Sequence, residues 1–222
     1  MNHLAFDIAH LLAGGLVLVS LLMLYQDRLS ALIRIFALHA VVLSASVAWQ
    51  AITQHAPHLY VTAAIAFAFK AIVVPLALQR IVVKLGVHRE IEVIGGIGVT
   101  MLFAMALVAL SLAVMLPAAA TATANPLARE DLAFALAVVL LGLLMMATRR
   151  NAVTQVIGFM SLENGLILAA AGARGMPLVV EISVAFSVLV ALIVIGVFLF
   201  GINARFDSID IGVIDHGRGE RP

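Results

Sequence analysis

The chain has no cysteine, and only 11% of its 222 residues are charged. The first absence excludes disulfides, thiolate metal sites and iron–sulfur ligation by this chain. The second is unusual, because soluble domains are about 25% charged and 45–50% apolar, whereas this chain is 64% hydrophobic. Its net charge of +1 gives no reason to expect nucleic-acid binding. The seven histidines are scattered without metal-ligand spacing, so no metal site is predicted.

Long apolar segments fill most of the sequence, and a membrane span needs about 20 such residues. Seven segments qualify, which predicts an all-α, polytopic membrane helix bundle in contact with lipid. Their approximate ranges are 5–25, 31–53, 59–83, 93–116, 131–148, 152–172 and 177–202. We expect a first region of four spans over 1–130 and a second of three spans over 131–222, ending in a polar tail.

The basic residues predict how the spans are oriented. With the N-terminus outside, ten lie in inside loops or the tail, and two lie outside. The inside group is Arg28, Arg34, Arg80, Lys84, Arg89, Arg149, Arg150, Arg205, Arg218 and Arg221; the outside group is Arg129 and Arg174. This positive-inside bias favours seven spans, with the N-terminus outside and the C-terminus and its tail in the cytoplasm.

Four ionisable residues within predicted spans are the candidate functional residues: Glu163, Lys70, Glu181 and His39. A charge at the bilayer centre costs at least ~2.5–3.5 kcal/mol, so such groups tend to be paired, solvated or used. Glu163 lies mid-span and suits either a proton pathway or a structural hydrogen bond from a permanently protonated acid. Lys70 has Phe67 and Val74 one turn away, so we expect a carboxylate on another helix, first of all Glu163, as its partner.

Each of the other candidates also has two interpretations. The Lys70 pair either modulates a proton relay or holds two spans together. Glu181 lies in the first turns of a helix, where the dipole favours a negative charge, so it is either a boundary anchor or a pathway acid. His39 is able to relay protons near neutral pH, but a lone histidine on an apolar face is more often a structural donor.

Several segments, in their order and spacing, resemble known membrane subunits. Leu141 to Gly158, with its Arg-Arg-Asn loop, and then Glu163-Asn164 resemble the K subunit of respiratory complex I and the C subunit of multi-subunit cation/proton antiporters. The additional four N-terminal spans make the whole chain similar to hydrogenase-4 component E. Phe69-Lys70-Ala71 with Val74-Pro75-Leu76, Gln155 to Gly165 and Leu178 to Ile182 carry that similarity.

The resemblance implies a multi-pass subunit of the prokaryotic inner membrane, in a formate hydrogenlyase-type complex with a group 4 nickel-iron hydrogenase. It implies antiporter-like membrane subunits, a membrane anchor subunit and a peripheral hydrogenase module as partners. The nickel-iron centre and iron–sulfur clusters would lie on those partner chains, so this chain is expected to hold no cofactor and no catalytic residue. Its implied role is coupled proton or sodium translocation, with Glu163 as relay, Lys70 as modulating cation and Glu181 as entry or exit acid.

Two positions depart from the K-subunit pattern. Counted from the Arg-Arg-Asn loop, the K-type acid falls at Met160, one helical turn before Glu163. The second K-type acid falls near Val188 or Leu189, both apolar, and Ser187 stands where component E relatives tend to carry an acid. Two alternative functions therefore stay open, a purely structural assembly subunit and a subunit of an antiporter without a redox module.

Overall fold

In the computed structural model, the described residues are 3–85, 93–118, 126–172 and 189, and side chains are described over 5–83, 93–115, 131–172 and 189. The described chain is all-helical, which confirms the predicted fold class. Six helical stretches are long and apolar enough to cross a membrane. The predicted seventh span, at about 177–202, lies outside the described residues, apart from Leu189.

The helices follow the predicted spans closely. They are α1 (His3–Tyr25), α2 (Leu29–Gln54), α3 (Pro57–Ile65), a π-helical segment (Ala66–Val73), α4 (Val74–Leu85), α5 (Gly96–Ala118), α6 (Pro126–Thr148) and α7 (Ala152–Gly172). The third span combines α3, the π-helical segment and α4. Two ends differ from prediction: α5 includes Pro117 in its last turn, and α6 begins at Pro126, because proline is tolerated in the first turn of a helix.

The π-helical segment has a local cause in the sequence. Proline lacks a backbone N–H, and its ring clashes with the carbonyl four residues earlier in an α-helix. Pro75 lies two residues after the end of the segment, and the N–H of Val74 bonds to the carbonyl of Phe69, five residues back. The chain forms wider turns over Ala66–Val73, just before this proline. These turns carry Lys70, and π-helical turns are frequent at functional sites.

Glycines bring α6 and α7 unusually close together. A Cβ on Gly142 would lie 2.7 Å from the backbone nitrogen of Leu162, and one on Gly165 would lie 2.9 Å from the carbonyl oxygen of Ala135. No real side chain fits at such distances, so this contact requires glycine on both helices. It fixes the part of α7 that carries Glu163.

Arg149 joins the C-terminal ends of two helices, α6 and α1. Its Nη1 and Nη2 donate hydrogen bonds to the carbonyls of Gln26 (2.7 Å) and Leu24 (2.6 Å) at the end of α1. These carbonyls have no partner within their own helix, and a cation there also complements the helix dipole. Burial lowers the pKa of the Arg149 guanidinium, and nearby Asp27 opposes that shift. Arg149, expected only to set topology, is therefore a buried structural clamp, 1% exposed.

Candidate functional site

Lys70 and Glu163 form a buried ion pair between the third span and α7. The Lys70 Nζ lies 3.1 Å from the Glu163 Oε2, and the two side chains are 0% and 4% exposed. The predicted contact between them is therefore confirmed. Lys70 is thirteen residues from the start of α3, and Glu163 is eleven residues from the start of α7, so both lie near the middle of their spans.

Asn164, the residue after Glu163, also binds Lys70. The Lys70 Nζ donates a 2.7 Å hydrogen bond to the Asn164 Oδ1. An ammonium group has donors and no acceptor, so this contact fixes which end of the amide faces Lys70. The Asn164 Nδ2 then points away from Lys70, toward α2, where it lies 2.9 Å from the His39 Nδ1.

His39 is fully buried and is held by a hydrogen bond on each side of its ring. The Ser20 hydroxyl donates its one hydrogen to the Leu16 carbonyl at 2.9 Å. Its oxygen also lies 2.9 Å from the His39 Nε2, so in that contact the hydroxyl is the acceptor. Nε2 therefore carries the proton, and Nδ1 accepts from the Asn164 amide. This tautomer is assigned from the donors and acceptors around the ring. It describes a neutral imidazole with both nitrogens satisfied.

The hydrogen bonds thus run in one direction across four spans. Lys70 donates to Asn164, Asn164 to His39, His39 to Ser20, and Ser20 to the Leu16 carbonyl. An amide has no proton that titrates in the physiological range, so Asn164 does not transfer protons between Lys70 and His39. It fixes the positions of the two side chains relative to each other. This geometry suits the structural interpretation of His39, and its relay role stays a prediction. The ion pair is the part of the network able to exchange a proton directly.

The ion pair is a costly feature to keep for stability alone. Each ion loses several kcal/mol of hydration on burial, and a well-packed apolar pair is often as stable or more stable. A charged side chain within a membrane span has a further free-energy cost, and such side chains are usually functional. The pair therefore supports a functional role more strongly than a structural one.

Sequence reasoning missed Asn164 and Ser20 as members of the site. Asn164 directly follows Glu163 in the sequence, and an amide beside a mid-span acid is itself a signal of a polar site. Ser20 looks like an ordinary helical serine that bonds its own backbone, and its second contact depends on how α1 packs on α2. Glu181 lies outside the described residues, so its pathway role stays a prediction. Among the described residues, no group of three metal-ligating side chains occurs.

Fold and site together define a polytopic membrane helix bundle with a buried, hydrogen-bonded ion pair. The chain is 31% identical over 201 residues to a Mycobacterium tuberculosis protein named "Uncharacterized protein Rv0085", and the match covers 90% of each chain. The chain belongs to the same family as that protein. No protein-family profile matches the sequence, and no solved structure matches it.

Proposed function

We propose that this chain is a membrane-arm subunit of a group 4 nickel-iron hydrogenase or formate hydrogenlyase-type complex in a prokaryotic inner membrane. Within it, the chain contributes to coupled proton or sodium translocation. The resemblance to hydrogenase-4 component E supports the assignment to this class of complex. The partners would be antiporter-like membrane subunits, a membrane anchor and the peripheral hydrogenase module. Because this chain has no cysteine, any iron–sulfur clusters would be held by partner chains.

The observation that carries the proposed role is the Lys70–Glu163 contact at mid-membrane depth. At 3.1 Å the ammonium is within reach to give a proton to the carboxylate, which converts two charges into a neutral amine and a neutral acid. In a medium of low dielectric constant the charged and neutral forms differ less in free energy than they do in water. A charge change in a neighbouring subunit is then able to shift the pair between its two forms.

The same geometry explains what Asn164 does in this mechanism. Its carbonyl accepts from Lys70 in the charged form, so the amine stays next to Glu163 when the proton moves. Its amide nitrogen is held by His39, whose ring is held in turn by Ser20. The hydrogen-bond chain therefore positions Lys70, and the proton itself is exchanged by Lys70 and Glu163.

Replacing Glu163 tests this role in the intact complex. Glu163→Gln keeps the size and hydrogen-bonding capacity of the side chain but cannot take or release a proton. We expect hydrogen evolution to lose its coupling to ion translocation, while the amount of assembled complex stays normal. Glu163→Asp, which keeps the acid, is the matched control and should retain part of the coupling. Unchanged translocation per hydrogen formed in Glu163→Gln would reject the proposal.

A purely structural assembly subunit is the second candidate function. The Lys70–Glu163 ion pair between the third span and α7 favours it, because a buried ion pair also fixes how two helices are positioned. It predicts that Glu163→Gln lowers the amount of assembled complex, with normal translocation in the complex that remains. A third candidate, an antiporter subunit without a redox module, is separated by its partners. Purification of the native complex should yield hydrogenase subunits under our proposal, and antiporter subunits alone under that alternative.

A further inference from the structure

One face of α2 is exposed along the N-terminal half of the helix. Arg34, Leu38, Val41 and Ala45 are spaced by four, three and four residues, so they lie on the same face. All four are exposed, with Leu38 at 48% and Val41 at 40%. The other sides of α2 pack against α1, the third span and α7. His39 bonds to residues of α1 and α7, so it points away from this open face of α2.

The Arg34 side chain bends toward the N-terminal end of α2, which is the cytoplasmic end under the predicted orientation. Its Nε donates a 3.3 Å hydrogen bond to the carbonyl of Ser30, one turn earlier. A guanidinium has five N–H donors, so the two Nη groups keep four, and no described residue accepts from them. An arginine that bends back in this way holds its charge at the membrane interface while its carbon chain covers apolar surface.

The length of α2 places Arg34 near the depth of the lipid phosphates. The 26 residues of α2 extend about 39 Å, which exceeds a hydrocarbon core of about 30 Å, so the ends of the helix reach the headgroup layers. Arg34 lies only about 7.5 Å from the start of α2, close to the border between headgroups and hydrocarbon. The distance along the axis from Arg34 to Ala45 is about 16 Å, close to the hydrocarbon thickness of one leaflet.

The charges at this end of the bundle favour an anionic ligand. Among the residues whose side chains are described, the exposed charged residues at the cytoplasmic ends of the helices are four arginines and one acid: Arg28, Arg34, Arg80, Arg150 and Asp27. Basic residues close to a membrane surface attract anionic lipids. A phosphate group also has the geometry to accept two hydrogen bonds from one guanidinium.

We propose that the open face of α2 binds an anionic phospholipid. The lipid phosphate accepts hydrogen bonds from the Arg34 Nη groups and from the exposed hydroxyl of Ser30, which lies on the same face. One acyl chain lies along Leu38, Val41 and Ala45. Contacts between membrane helices are enriched in small and polar residues, whereas Leu38 and Val41 are bulky and apolar, so this face suits an acyl chain better than a partner helix. The inference does not depend on the proposed function.

Native mass spectrometry of the full chain tests whether Arg34 holds the lipid. The chain is released from nanodiscs of phosphatidylcholine with a minor share of phosphatidylglycerol, and the lipids that remain bound are identified. We expect phosphatidylglycerol to be retained by the wild type and by Arg34→Lys, which keeps the charge, and several-fold less by Arg34→Gln. The matched control Arg150→Gln removes one charge from another exposed arginine and should behave like the wild type. Equal retention in Arg34→Gln and Arg150→Gln would overturn the proposal.

Crosslinking in the intact complex identifies what covers this face. The chain has no cysteine, so Leu38→Cys provides a single attachment point for a photoreactive label. Mass spectrometry should find the label joined to phosphatidylglycerol, and adding Arg34→Gln should lower the yield of that product several-fold. A label joined mainly to another subunit, to a second copy of this chain or to another segment of it would overturn the proposal. A lipid product whose yield is the same with Arg34→Gln would indicate bulk lipid only and would also overturn it.

Discussion

The coupling between Lys70 and Glu163 is measurable in a double-mutant cycle. Lys70→Met leaves the Glu163 carboxyl buried without its cation, and breaking a buried pair by removing one partner typically costs about 3–5 kcal/mol. Protonation of Glu163 in the variant limits that cost. Glu163→Gln should cost less, about 1.5–3 kcal/mol, because Lys70 keeps its 2.7 Å hydrogen bond to Asn164.

The double variant then distinguishes contact from independence. With both charges removed, neither single penalty remains in full, so we expect a coupling energy of about 1.5–3 kcal/mol. Reversible unfolding of the chain in detergent or bicelles gives the four free energies. Glu163→Gln combined with Arg150→Gln, at an exposed residue, is the control cycle and should be additive. A coupling energy below ~0.5 kcal/mol for the Lys70 cycle would refute the direct contact between Lys70 and Glu163.

Two other contacts give predictions with matched controls. Gly165→Ala should destabilise the bundle by about 1–3 kcal/mol, because its Cβ would lie 2.9 Å from the carbonyl oxygen of Ala135 on α6; Gly14→Ala, with open space around it, should be neutral or slightly stabilising in the same unfolding assay. Arg149→Gln should cost about 2–4 kcal/mol, since it removes two charged hydrogen bonds to the end of α1, whereas exposed Arg150→Gln should leave the unfolding free energy within about 0.5 kcal/mol. Equal effects within either pair would contradict the corresponding contact.

Much of the architecture follows from the sequence, because apolar length alone predicts membrane spans. The six spans in the described residues agree with prediction, apart from the ends of α5 and α6. The pairing of Lys70 with Glu163 was also predictable, since a mid-span cation needs an anion and Glu163 lies at a similar depth in its own span. In each case a single strong energetic term decides the outcome.

The rest depends on how helices pack, which one sequence does not reveal. Arg149 looked like an ordinary positive-inside residue, and its burial depends on where α1 ends relative to α6. Asp131 stands at the start of its apolar segment in the sequence, whereas α6 begins five residues earlier and the Asp131 side chain is buried. Pro75 signalled a disturbed helix, but not that the disturbance would be a π-helical segment that carries Lys70.

Infrared difference spectroscopy of the intact complex tests most directly whether Glu163 exchanges a proton during turnover. A carboxylic acid and a carboxylate absorb at well-separated frequencies, so a change in protonation appears as a paired loss and gain of bands. We predict such a pair when the wild-type complex passes from its resting to its reduced state, and its absence in Glu163→Gln with assembly intact. Spectra without a carboxyl change, or with the same change in Glu163→Gln, would contradict the account and leave the ion pair as a structural contact.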